Sequence, residues 1–279
     1  MTPKFSIVIP TCHRNDSLRI CLDSFEHTFQ SYAPKDYEII VSDDGVDSNA
    51  KEVITNDYSW CRWLEGPKKG PGQNRNHGAK YASFDWLLFI DDDCIPEANI
   101  LKCYCDAIQN NPGIRAFEGS TFADRKKRSF NEEAPINTKG GYFFSCNILI
   151  HKSLFQKFDG FDEDFFFHFE DLDFYKRLRN QNENVLFVKD SSVIHPWREK
   201  KPLKFESWYL NQYFTYIEKH QDLREKFTFS SICLNYLRRL KALFYNCLKY
   251  YFRGFGSEFL RLHYGLIYQL YFYFFRFNK

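Results

Sequence analysis

Apolar positions in the first hundred residues fall into two alternating patterns. Mostly apolar runs at residues 5–10 (FSIVIP), 38–41 (EIIV) and 86–90 (WLLFI) have the length and content of buried strands. Helical spacings come between them: Leu18, Cys21, Leu22, Phe25 and Phe29 after Asp16, a polar helix near residues 49–55, and a helix over residues 72–81. Strand and helix in regular alternation predict a parallel sheet covered by helices on both faces. Each strand runs out into polar residues, at 11–14, 42–45 and 91–93. Ligands of such sheets bind at the carboxyl ends of the strands, so the three exits are expected to converge on one site.

A further strand at residues 184–188 leads to the turn SSVIHP. Residues 123–139 are polar, charged and without period, and read as a mobile loop of the kind that covers an active site. Beyond Pro202 the pattern turns helical, with rings and cations interleaved: Trp208, Tyr209, Tyr213 and Tyr216, then residues 234–252 and 260–275. The chain therefore divides into an α/β body over residues 1–200 and a helical appendage over residues 201–279. The most apolar run of the appendage, residues 262–275, is 14 residues long. A spanning helix needs about 20, so this one is expected to lie in an interface rather than cross it.

Composition adds that the chain folds: 31 Phe and 18 Tyr carry more ring surface than a solvated tail would. The net charge of +2 conceals an asymmetry, because residues 198–279 hold 15 Lys and Arg against 6 Asp and Glu. A basic end on an acidic body suggests an anionic partner, and short clusters rich in rings favour a membrane surface over nucleic acid. Nine cysteines without a CxxC pair argue against a disulfide framework and a zinc cage, and for free thiols in a reducing compartment. No charged segment followed by an apolar one precedes the first strand, so no secretory signal is expected and the cytoplasm is the expected compartment.

The chemistry concentrates at the strand exits. Asp91, Asp92 and Asp93 repel one another unless a cation relieves them; in an extended segment Asp91 and Asp93 point to one side and can share a divalent ion while Asp92 faces elsewhere. An acidic turn before a helix opening at Pro96 and Glu97 explains the same triplet as well. Asp43 and Asp44 before Gly45 suit a turn, and Glu170 with Asp171 suits the start of a helix, where negative charge is favourable.

As a set, FSIVIPTCHR at 5–14, EIIVSDDG at 38–45, GPGQNRNHGAKYAS at 70–83 and LLFIDDDCIP at 87–96 closely resemble the nucleotide-binding half of family 2 glycosyltransferases, which have the GT-A fold. NILIHKSLFQKFDGFDEDF at 147–165 and FEDLDFYKRLRNQ at 169–181 resemble that family's acceptor-side segment. The resemblance covers residues 4–197 and makes 1–96 the nucleotide-binding half and 97–200 the acceptor-side half. It implies a Rossmann-like, mostly parallel sheet and transfer of a sugar from a nucleotide diphosphate, as in bacterial polysaccharide and lipopolysaccharide synthesis.

By position, Asp43 resembles the residue that reads the uracil edge of a UDP-sugar, with Thr11 and Arg14 shaping the base pocket. Arg75 resembles the arginine that engages the nucleotide or its phosphates, although QNRNHG replaces the usual run of small residues there. Asp91, Asp92 and Asn147 join the donor-binding set. Asp91, Asp93 and His195 are the implied ligands of Mn2+ or Mg2+. Asp171 resembles the general base of inverting members, with Glu170 orienting it or binding acceptor. The implied acceptor is a hydroxyl of a saccharide or lipid-linked oligosaccharide at the cytoplasmic face of the inner membrane, with residues 203–279 in peripheral contact with anionic lipid and no role for nucleic acid. Packing of those helices into a homodimer stays open. So do transfer to a polyprenyl phosphate, which needs no strong base, a sugar-nucleotide-binding module without catalysis, and a nucleotidyltransferase.

Overall fold

The computed structural model describes residues 2–48 and 50–277, so Asn49, at the expected start of the polar helix, and the last two positions of the appendage lie outside the described residues. In chain order β1 (Phe5–Thr11), α1 (Asn15–Asp23), β2 (Tyr37–Asp43), α2 (Ala50–Asp57), β3 (Cys61–Glu65), α3 (Pro71–Lys80) and β4 (Trp86–Ile90) alternate as the apolar pattern predicts. α1 stops at Asp23, short of the expected span: Phe25 is buried beyond its end and Phe29 is exposed. β3 is an addition, since its place at the edge of the sheet leaves CRWLE partly exposed and without an unbroken apolar run.

There follow β5 (Ile95–Pro96), α4 (Ile100–Asn110), β6 (Ala116–Ala123), β7 (Glu132–Glu133), β8 (Asn147–His151), α5 (Lys152–Lys157), α6 (Glu170–Asn180), β9 (Val185–His195) and β10 (Arg198–Glu199). Eight strands form one sheet in the order β3-β2-β1-β4-β8-β6-β9-β5. The strands from β3 to β4 are parallel, as are β6 and β9, while β8 runs antiparallel to both its neighbours and β5 antiparallel to β9.

Period-two alternation explains why the central runs are mostly apolar. Ile7, Ile9, Ile39, Val41, Leu88 and Ile90 face one core, which α1 and α4 cover through Leu18, Leu22, Leu101 and Tyr104. Val8, Ile40, Leu87 and Phe89 face the other, against Ala79 of α3, Leu154 of α5 and Phe174 of α6. Parallel register pairs Thr11 with Asp43, so the polar exits of β1 and β2 lie side by side.

The chain separates into two units, residues 1–124 with 135–196, and residues 125–134 with 197–279. The expectation of an aperiodic mobile loop over residues 123–139 is therefore corrected. Arg125–Ala134 belongs to the second unit. There β7 pairs with β10, Phe130 is buried with Leu243, Tyr250 and Leu262, and the Phe130 N–H donates to the carbonyl of Arg253 at 3.0 Å. On the first unit's side, Asn137 exchanges two backbone hydrogen bonds with Thr121 at 2.7 and 3.0 Å.

The remainder of the second unit is helical: α7 (Glu206–Lys219), α8 (Gln221–Lys226), α9 (Phe229–Asn246) and α10 (Phe255–Phe272). Thr228 and Ser231 form a capping box at the start of α9, and Phe214 stacks on Phe272 within the helical core. α9 ends six residues before the end of the expected segment 234–252, and the turn into α10, closed by Gly254 with φ of +78°, falls between the two expected segments. Among the described residues no helix is long and apolar enough to cross a membrane.

Candidate active site

The acidic triplet leaves β4 as a turn, with the Cys94 N–H donating to the Asp91 carbonyl at 3.0 Å. That turn removes the extended geometry on which a shared side for Asp91 and Asp93 depends, and the side chains divide differently. Asp92 is fully buried, accepts the Thr11 hydroxyl at 2.8 Å and pairs with Arg14 at 2.6 Å. Asp93 lies 3.5 Å from the same guanidinium. Asp91 turns instead to Arg75 of α3, at 2.5 Å. Thr11 and Arg14 are thus brought to the triplet itself. Burial pushes the Asp92 carboxyl up to about 7, against the opposing pull of Arg14 and the Thr11 hydroxyl.

Arg75 is buried and ties the triplet to the second acidic pair, its other terminal nitrogen lying 3.0 Å from Glu170. Its position is set at the entry to α3 and again at the helix's middle. Gly70 enters the helix at φ of +94°, and Asn76 exchanges two hydrogen bonds with the backbone of Phe161, at 2.7 and 2.9 Å. Burial opposes the guanidinium charge, but Asp91 and Glu170 outweigh it and hold Arg75 more firmly protonated than usual.

At the head of α6, Glu170 is buried while Asp171 keeps an accessible edge. The Asp171 carboxylate accepts backbone N–H groups from Ser145 at 3.1 Å and Leu172 at 2.8 Å. Burial raises both carboxyls above the ordinary carboxylate range; for Glu170 the charge of Asp171 adds to the rise, and for Asp171 the two N–H donors and Arg75 hold it back. Asp91, Asp92, Asp93, Glu170 and Asp171 thus face two guanidiniums, a surplus of negative charge that favours a cation.

His195, at the end of β9, supplies the place where a cation fits. Its Nδ1 lies 2.8 Å from the Pro196 carbonyl and so carries a hydrogen, which leaves Nε2 facing an Asp93 oxygen at 3.5 Å. Imidazole with carboxylate is a donor set that accepts Mn2+ or Mg2+. Cys94 lies in the same cluster, but its thiol turns to the Cys146 carbonyl and burial holds it protonated. Asp91 is not in that cluster.

Asp43 ends β2 buried, its Oδ1 accepting the Gly45 N–H at 2.9 Å, so the turn expected from sequence is formed. Its Oδ2 faces Nε1 of Trp63, a β3 residue that the sequence pattern did not single out. Asp44 accepts the backbone N–H groups of Lys68 and Gly70, at 2.9 and 3.0 Å, and fixes the loop that opens α3. Asn147 is placed differently from the other donor-set residues: its amide donates to the carbonyls of Ser120 and Ser191 and accepts from Tyr104, so it braces β8 against its neighbours.

Two residues that pattern reasoning missed support the Asp171 side. Ser145 acts through its backbone, which no sequence motif announces. Glu118 is buried in β6 and accepts the N–H groups of Gly141, Tyr142 and Phe143 together with the Asn137 amide, which orders the segment leading to Ser145. A lone carboxylate between Phe117 and Gly119 in a strand otherwise without charge was the available signal.

The model of Glycosyl transferase family 2 matches residues 6–158. The GalNAc(5)-diNAcBac-PP-undecaprenol beta-1,3-glucosyltransferase of Campylobacter jejuni is 34% identical over 96 residues, which are 33% of this chain and 30% of that protein. The poly(ribitol-phosphate) beta-glucosyltransferase of Bacillus spizizenii is 32% identical over 117 residues, 40% of this chain and 18% of that protein. The matched stretches thus span less than a third of the length of these relatives. A crystal structure of S. aureus TarS 1–349 in complex with UDP-GlcNAc superposes with a TM-score of 0.56 at 22% identity, covering 71% of this chain and 60% of that one. The likeness to TarS is one of fold, the GT-A arrangement of a largely parallel sheet between helices.

Proposed function

The chain belongs to glycosyl transferase family 2, and from that premise we propose that it moves a sugar from a UDP-sugar to a hydroxyl of a glycan or lipid-linked glycan with inversion. The observation that carries the reading is Asp171, a part-buried carboxylate held by two N–H donors at a helix start and joined to the triplet through Glu170, Arg75 and Asp91. UDP as carrier is supported by the fold shared with a protein crystallised with UDP-GlcNAc, and by Asp43 beside Trp63 at the exit of β2. The lipid-linked acceptor is supported by the name of the Campylobacter jejuni relative.

In this mechanism Asp171 takes the acceptor's proton as that oxygen bonds to the anomeric carbon. The bond from that carbon to the diphosphate oxygen breaks on the opposite face, which inverts the centre. Asp93 and His195 would hold a divalent cation, Mn2+ or Mg2+, whose charge stabilises the departing diphosphate. Arg75 keeps Asp91 and Glu170 compensated and so fixes the distance between the two acidic pairs. Arg14 and Thr11 anchor Asp92, which sets the turn that presents Asp93. Residues 1–200 form the catalytic part, and the basic helical region makes peripheral contact with an anionic membrane at the cytoplasmic face.

Asp171→Asn tests the assignment. Donor affinity, read by UDP-sugar titration calorimetry, is expected to be unchanged, while turnover falls by about a hundred- to ten-thousand-fold. Turnover near that of the unmodified enzyme would move the reading to a phosphate acceptor that needs no base. A product with retained anomeric configuration by NMR would overturn the single displacement.

A further inference from the structure

α9 is apolar on two opposite sides. Ile232 and Leu243 are buried in the second unit's own core. Leu234, Leu237, Phe244 and Tyr245, with Leu248 in the turn that follows, stand between 49% and 84% exposed. At about 100° per residue these five fall within an arc of roughly 100°, opposite Ile232 and Leu243. Lys241 falls within the same arc, so the outward face is apolar with one cation set into it; scattered apolar residues on a surface are ordinary, but a grouped outward face of this kind marks a binding surface.

The charges around the stripe are of one sign. Residues 227–257 contain Arg238, Arg239, Lys241, Lys249 and Arg253 and no Asp or Glu. All five cations are exposed, and none forms an ion pair among the described residues.

We propose that α9 and the turn after it dock on an anionic lipid bilayer, the leucines and rings entering the headgroup boundary while the cations remain with the phosphates. A second copy of the chain fits the stripe poorly, because two-fold pairing would set five cations against five. Nucleic acid would satisfy the cations but leave the leucines in water. The proposal rests on the peripheral contact read above and names its surface.

The test uses the full chain and sucrose-loaded vesicles, either of phosphatidylcholine alone or mixed about equally with phosphatidylglycerol. The protein is expected to sediment with the mixed vesicles, to be released by salt, and to ignore phosphatidylcholine. Each cation near an anionic surface is worth about a fivefold change in partitioning, so Arg238→Gln with Lys241→Gln should lower it by roughly 25-fold. Leu237→Glu with Leu248→Glu should lower it by at least about 100-fold; both positions are exposed, so folding should be unaffected.

Failure of the unmodified protein to bind, or equal binding by the leucine variant, overturns the proposal. A dimer in sedimentation velocity that the leucine variant dissociates, with no vesicle binding, would assign the stripe to a second copy. Donor hydrolysis measured in the same samples reads the sugar-transfer site separately, so loss of one function is not mistaken for loss of the other.

Discussion

Arg75→Met removes the one cation shared by two acidic pairs, and its cost follows from where the orphaned groups lie. The Glu170 side chain is 6% exposed and that of Asp91 18%, so neither charge is returned to bulk water when the guanidinium goes. Removing one partner of a buried ion pair typically costs about 3–5 kcal/mol. Above about pH 8, where Glu170 is ionised, and with Glu170 bearing most of the effect and Asp91 less, a loss of about 4 kcal/mol is expected, or a Tm lowered by roughly 8–16 °C for a unit of this size. Calorimetry across pH provides the sharper check. Glu170 already has a raised pKa in the folded state, and loss of Arg75 raises it further. Glu170 is pushed up to about 8 in the folded protein, so below that pH both proteins carry it protonated and lose stability in step as pH rises; the variant's extra deficit should open above about pH 8, where only the unmodified protein readily ionises Glu170, and shrink toward neutrality. Glu170→Gln added to the variant should recover part of the loss. A Tm shift below about 3 °C in that alkaline range, or a deficit that does not change with pH, would refute the claim that Arg75 neutralises both pairs.

Three further outcomes are expected. Because burial raises Asp171, turnover should fail on the acid side at a pH above the ordinary carboxylate range, and a kcat profile flat down to about pH 4 would contradict its role as base. His195→Ala should raise the Mn2+ concentration needed for half-maximal donor hydrolysis by at least about tenfold; an unchanged titration would remove His195 from the cation site. Gly70→Ala places a Cβ 1.9 Å from the Phe166 carbonyl oxygen at φ of +94°, and should cost at least about 2 kcal/mol in urea unfolding, whereas a neutral result would mean the α3 entry relaxes freely.

The strands buried on both faces were legible because a parallel sheet between helices leaves little room for polar residues, and residues 5–10, 38–41 and 86–90 are mostly apolar. β3 was hidden by its edge position. The antiparallel course of β8 was hidden because strand direction leaves no trace in composition. Within the site, residue types were legible and their pairings were not. Three adjacent aspartates announce charge, but whether they continue a strand or enter a turn depends on the Asp91 carbonyl accepting from Cys94, and that choice sends Asp91 to Arg75 and leaves Asp93 with His195. Backbone donors such as the Ser145 N–H carry no sequence signature at all. Phe130, a single apolar residue in a charged stretch, was too little periodicity to reveal a segment that packs with helices more than a hundred positions later.

The divided second unit has a consequence for how the polypeptide must be made. Residues 125–134 leave the ribosome long before Tyr250 and Leu262, against which Phe130 closes, so this decapeptide waits exposed while well over a hundred further amino acids are translated. Severing the chain after residue 196 would strand it permanently. The sugar-transfer body is therefore not a detachable cassette: grafting it without its helices carries over a ten-residue insert whose burial partners were left behind.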